Sequence, residues 1–180
     1  MALVENLQCE TVAKFIDVLC PNNPIWGTGT DNPWIYRGHR DARWELKPRA
    51  WREDGRKVLE PLFRRLSPTA RSVADKFALD PSKPSRETLE KIVHQVLVEV
   101  DAVHSFAELA DELGHSVLDT SELLTIKQIE HSPHLASAHG YENKLANRAA
   151  ALAQHHDVPT RLLDWTRKSL VVAFFASCEV

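Results

Sequence analysis

Apolar residues recur at helical spacing in several stretches of the chain. Val12, Phe15, Ile16 and Leu19 predict an amphipathic helix from roughly Glu10 to Cys20, stopped before Pro21. A loop rich in Pro, Asn and Gly follows to Pro33, and residues 56 to 66 again look helical before an irregular segment through Pro68, Pro81 and Pro84. Leu89, Ile92, Val93, Val96, Leu97, Val100 and Val103 form a long stripe opening after Ser85, an N-cap with Glu87 in the first turn. Ser105-Phe106-Ala107-Glu108 has the form of a capping box and predicts a break, with a new helix ending at Gly114. Asp119 or Thr120 caps a short helix reaching about His131, His131 to Gly140 is a loop, and a helix runs from about Tyr141 to His156. Leu170 to Cys178 is apolar on every side, as in a buried helix, with a buried strand the alternative for so short a run. The extended signals are fewer. Trp34-Ile35-Tyr36-Arg37-Gly38-His39 reads as a short strand ended by Gly38, and Trp44 to Pro48 as a second extended piece at an edge. The pattern predicts an α+β fold, predominantly helical, with a small sheet seeded by residues 34 to 38.

Composition changes this picture little. The 180 residues are 43% hydrophobic and 26% charged, which is ordinary for one globular domain. The net charge of -3 gives no global pull toward nucleic acid or membrane. Its distribution is uneven: Trp34 to Arg71 carries eleven Lys/Arg against five Asp/Glu, and Ser85 to Glu130 three against ten. Cys9, Cys20 and Cys178 form no CxxC pair and read as reduced thiols. No signal-peptide pattern opens the chain and no stretch approaches the roughly 18 apolar residues of a membrane span, so a cytoplasmic protein with no membrane partner is expected.

The densest chemistry lies in Gln154-His155-His156-Asp157-Val158-Pro159-Thr160-Arg161-Leu162-Leu163-Asp164-Trp165-Thr166, between an Ala-rich helical pattern and the apolar run. Adjacent helical residues point about 100° apart, so His155 and His156 cannot chelate as a pair. Val158 before Pro159 leaves the helical region, so the chain turns there. Asp164 or Thr166 is placed to cap the next helix, and an Arg161–Asp164 pair is one way to hold the turn. Arg37, followed by Gly38, can present a guanidinium to a phosphate or carboxylate, the alternative being a structural pairing with a carboxylate such as Asp164. His131, His134 and His139 lack the order of a zinc site, and no metal is expected. Seven basic residues from Arg37 to Arg56 interleave with Trp34, Trp44 and Trp51, a composition able to stack on nucleic acid. Asp41, Glu45, Glu53 and Asp54 dilute that field, so nucleic acid is not the favoured partner.

Three stretches, Tyr36-Arg37-Gly38-His39, Trp44-Glu45-Leu46-Lys47-Pro48-Arg49 and Leu152 to Thr166, followed by the apolar run to Ala176, together resemble the FRG domain family in order and separation. Members occur in bacteria and phages, often in defence or toxin-like settings, and the family fold is thought to be distantly similar to that of the ADP-ribosyltransferases. The resemblance implies residues 1–33 as an N-terminal helix and loop and 34–180 as one FRG unit. It implies NAD as a substrate, with Arg37 anchoring the diphosphate or ribose. Arg37 and His155 become the catalytic candidates, and Tyr36, Arg37, Gly38, Gln154, Thr160, Arg161 and Asp164 those that line or brace the NAD cleft. Three departures stand out. Tyr36 replaces Phe; Asp157 stands where glycine is usual, in a turn expected to be left-handed; and Val180 follows soon after the Phe-Phe-Ala run, where members usually continue with strands and a transferase-type glutamate. The expected fold is thus a truncated ADP-ribosyltransferase-like domain. Two functions follow: an NAD-using toxin or defence effector modifying an unknown acceptor macromolecule, or a non-catalytic module that self-associates or binds a protein or nucleic acid.

Overall fold

A computed structural model describes residues 7–20, 22–26, 34–41, 43–78, 84–115, 125–132 and 148–177. The chain divides into two compact units, Lys47–Leu163 and the pair of segments Met1–Leu46 and Asp164–Val180. Each is described by itself.

The Lys47–Leu163 unit is built on two long helices, α2 (Glu53–Phe77) and α3 (Arg86–Glu112). On α2, Leu59, Leu66, Ala70, Val73 and Ala74 are buried at helical spacing, giving one core-facing stripe. The ion pairs Arg65–Asp101, Arg71–Glu90 and Asp75–Arg86 rise along one helix as they fall along the other, so α2 and α3 are antiparallel. Every residue from Val96 to Val100 is buried, because α3 packs against α2, α4 (Ile126–His131) and α5 (Arg148–His155). Leu97, Val93 and Ile129 are among the largest side chains fully enclosed there. Each such side chain contributes about 1.5–3 kcal/mol by leaving water.

Several local signals act as expected. Ser85 caps α3 by accepting from Thr88 N at 3.3 Å. Gly114, at φ +77, ends it, with His115 N donating to Ala110 O and Gly114 N to Asp111 O. Others do not. Helix α2 starts earlier than residue 56 and runs through Pro61 and Pro68, because its stripe against α3 outweighs two missing amide donors. The break expected at Ser105 is absent: Val103 and Ala107 are buried on either side of it, so the core holds the helix together. Thr125 is the cap of α4, through a complete capping box with Gln128. Asp119, Thr120, His134, His139 and the expected helix from Tyr141 up to Arg148 lie outside the described residues.

The other unit holds α1 (Val12–Leu19), a 3-10 turn at Pro24–Trp26, and α6 (Ser169–Ser177). Thr11 caps α1, accepting from Lys14 N at 3.1 Å. The buried Ser169 hydroxyl donates to Leu19 O at 2.5 Å and ties α6 to α1. The apolar run does form a helix, but not a buried one: Phe174 and Phe175 are 62% and 65% exposed.

The expected α+β class, with a sheet seeded by residues 34 to 38 and a truncated ADP-ribosyltransferase-like architecture, is not formed. Among the described residues there is no strand, only an isolated antiparallel bridge between Tyr36 and Thr166. The bridge does not extend into a ladder: beyond it Gly38 packs against the backbone of α6, with Val172 O only 2.5 Å from where its Cβ would lie, so the segment meets a helix there and not a strand. The Asp164 carbonyl accepts from the Arg37 guanidinium at 2.9 Å. Trp44 to Pro48 is likewise not a strand. Among the described residues no helix is long and apolar enough to cross a membrane.

Candidate functional site

The first motif and the end of the last one meet in the unit that contains α1 and α6. Tyr36 N donates to Thr166 O at 2.7 Å and Thr166 N to Tyr36 O at 2.9 Å. The Tyr36 side chain is buried, its ring edge-on to Trp26 at 5.5 Å. Trp26 is itself anchored, its indole donating to Val18 O at 2.6 Å. On this frame Arg37 is half-buried and oriented from two sides. Its Nε donates to His39 Nε2 at 3.1 Å and its Nη1 to the Asp164 carbonyl at 2.9 Å. On Asp164, the atom that takes this bond is the backbone carbonyl. Gly38 has a use that sequence did not suggest: a Cβ there would lie 2.5 Å from Val172 O and 3.2 Å from Ala176 N, so α6 fills the space a side chain would need. Thr166 Oγ1 accepts from Lys168 N at 3.1 Å just ahead of α6. Nearby, hydrogen bonds from Arg43 hold the Asp41 carboxyl below its ordinary value.

The middle motif and the start of the last one meet in the unit that contains α2 and α3. Helix α5 ends in a Schellman motif: Val158 N donates to Ala153 O at 3.0 Å and Asp157 N to Gln154 O at 3.1 Å. This places Asp157 at the left-handed position, φ +71, the conformation expected from the glycine usual at that site. Aspartate is one of the few side chains that tolerates it. Arg49 holds the residue there, donating Nη1 to its carbonyl at 2.9 Å and pairing with its carboxylate. Beyond the turn, Thr160 is buried, its hydroxyl donating to Gln154 Oε1 at 2.5 Å and its carbonyl accepting from Ala50 N at 3.1 Å. Arg161 reaches a carboxylate, but on α3: its Nε donates to Glu99 Oε2 at 2.6 Å, and its guanidinium lies 5.8 Å from the Trp51 ring centre. His155 is exposed at the C-terminal end of α5, and the His156 ring packs 5.5 Å from Phe106.

Glu99 is the residue sequence reasoning missed. It is 1% exposed, and besides Arg161 it accepts from Trp51 Nε1 at 3.0 Å and Gln95 Nε2 at 2.7 Å. The same Gln95 amide donates to Ala50 O at 3.3 Å. Its signal was a carboxylate inside Val96-Leu97-Val98-Glu99-Val100, where a charge is retained only if paired. Among the described residues no group of three or more His, Cys, Asp or Glu is arranged to hold a metal.

The predicted site residues therefore fall into two sets. Tyr36, Arg37, Gly38 and Asp164 form one clasp; Gln154, Thr160 and Arg161, with Arg49, Trp51 and Glu99, form the other. An orienting frame around Arg37 can present a guanidinium to an anion without the cost of ordering it on binding. The Glu99 clasp is a hydrogen-bonded network around one buried carboxylate, suited to holding backbone in place. The FRG domain family matches residues 32–180. No curated protein and no solved structure matches the chain.

Proposed function

The chain belongs to the FRG domain family, and from that premise we propose that it is an NAD-using enzyme of the ADP-ribosyltransferase type, a toxin or defence effector acting on a macromolecular acceptor. The observation that supports it is the orientation of Arg37, whose guanidinium is fixed by His39 and the Asp164 carbonyl while the side chain stays half-buried. A guanidinium held this way binds a diphosphate by charge-assisted hydrogen bonds and positions the ribose attached to it. Tyr36 and Asp164 act through Arg37: Tyr36 fixes the backbone before it by pairing with Thr166, and the Asp164 carbonyl holds its guanidinium. When the nicotinamide–ribose bond breaks, the bonding pair leaves with nicotinamide, and the ribose C1′ takes a nucleophile from the acceptor or water. The proton that nucleophile releases passes to water. The test is nicotinamide release from NAD by the purified chain. Wild type is expected to release it above buffer, and Arg37→Ala to lose about 10²-fold or more in kcat/KM, the scale for removing one fixed charge-stabilising donor. No release by wild type would overturn the proposal.

A second reading, a non-catalytic module for a protein partner, is favoured by the face of α6. Leu170, Phe174 and Phe175 are all more than half exposed on that helix. Large apolar side chains clustered on a surface mark interaction sites. If this face docks a protein or a second copy, Phe174→Glu with Phe175→Glu is expected to abolish concentration-dependent association in sedimentation velocity. A wild-type chain that stays monomeric and captures nothing the double variant loses would contradict it.

A further inference from the structure

Helix α2 carries a groove on the side away from its buried stripe. Lys47, Trp51, Glu53, Arg56, Lys57, Glu60 and Arg64 line an open depression of about 470 Å³, in the size range of ligand sites. Its two carboxylates each have a cation one helical turn on: Glu53 with Lys57 at 2.8 Å and Glu60 with Arg64 at 3.0 Å. Lys47 and Arg56 are the groove's surplus charge. Arg52 donates Nε to Lys47 O at 3.0 Å and so fixes the backbone that presents Lys47. Arg56 lies along the helix with its guanidinium 4.7 Å from the Phe63 ring centre. Trp51 is 40% exposed at one end, yet its indole NH is bound to the buried Glu99, so the ring is rigid as well as accessible.

A fixed, accessible indole beside surplus cations in an open channel is the combination that binds single strands: a base stacks on the ring and the cations follow the phosphates. An acidic peptide would use the cations but has no use for a rigid aromatic surface at the rim. We infer that this groove is a binding site for single-stranded nucleic acid, with a base on Trp51 and flanking phosphates held by Lys47 and Arg56. Arg37 is not among the groove's lining residues and occupancy of the groove needs no NAD, so the inference stands or falls apart from the enzymatic reading.

Fluorescence anisotropy of a labelled 12-nucleotide oligo-dT, titrated with the full chain between 25 and 200 mM NaCl, tests it. Two phosphate contacts predict a slope of log Kobs against log salt near -1.4, about -0.7 per phosphate of a single strand. Lys47→Gln and Arg56→Gln are each expected to weaken binding and reduce the slope by about 0.7, whereas Lys91→Gln, on exposed α3 surface, leaves both unchanged. The Trp51 indole NH resonance, assigned through Trp51→Phe, is expected to shift on titration with the oligonucleotide. Polyglutamate of equal charge should not shift it. Absence of binding at 25 mM salt, slopes unaltered in both variants, or an equal indole shift with polyglutamate would overturn the inference.

Discussion

Glu99→Ala is expected to destabilise the protein by about 3–5 kcal/mol, the scale for removing one partner of a buried ion pair. Glu99 is 1% exposed, and the variant removes the acceptor of the Arg161 Nε, the Trp51 indole and the Gln95 amide together. Against the roughly 5–15 kcal/mol of a typical domain, that is a large share of the total. The comparison that isolates the cause is Glu99→Leu combined with Arg161→Met. Removing both charges while keeping volume is expected to cost less than Glu99→Ala alone, because breaking a buried pair costs more than replacing it. Urea unfolding followed by helical circular dichroism gives the free energies. A loss below about 1 kcal/mol for Glu99→Ala would contradict a hydrogen-bonded buried carboxylate.

Gly55→Ala is the second large effect, and its sign is opposite to the usual rule. Glycine inside a helix ordinarily costs about 0.5–1 kcal/mol relative to alanine, so the substitution should stabilise. Here Gly55 is buried in the first turn of α2, under the 3-10 turn at Arg49–Trp51. A Cβ would overlap the Arg49 carbonyl oxygen, with its carbon only 2.7 Å away. The obstacle is backbone and cannot rotate aside. The turn would have to lift, carrying Ala50 from Thr160 and Trp51 from Glu99. A loss of about 3 kcal/mol, the upper end for overpacking, is expected by the same unfolding measurement. A gain in stability would show that the turn does not rest on the helix.

Much of this was legible in the chain. Ser85, Gly114 and the stripe from Leu89 to Val103 mark α3 because capping and helical periodicity are local signals. The left-handed turn at Asp157 was readable for the same reason, since a residue in a glycine position inherits the backbone of that position. The FRG motifs identified the family across most of the chain. What local signals cannot carry is the arbitration between elements. Pro68 and Ser105 are helix-breaking signals by themselves, and the contact of α2 with α3 overrides both. The strand at 34–38 had the right residues, but beyond Tyr36 the chain packs against α6, which offers no strand to pair with. The pairing of Arg161 with Glu99 joins residues 62 apart in sequence, so neither reveals the other. In the α2 groove, Glu53, one of the carboxylates that dilute the basic field on paper, is paired with Lys57, as Glu60 is with Arg64, which leaves Lys47 and Arg56 as surplus.

The central claim is that the oriented guanidinium of Arg37 engages NAD, and calorimetric titration of NAD into wild type and Arg37→Lys tests it most directly. Lysine keeps the charge but cannot reproduce the planar, two-sided hydrogen bonding. Wild type is expected to bind measurably, and the variant, melting at the same temperature, at least about tenfold more weakly, a difference of about 1.4 kcal/mol. Equal affinity in the two proteins, or no binding of NAD by wild type, would contradict it.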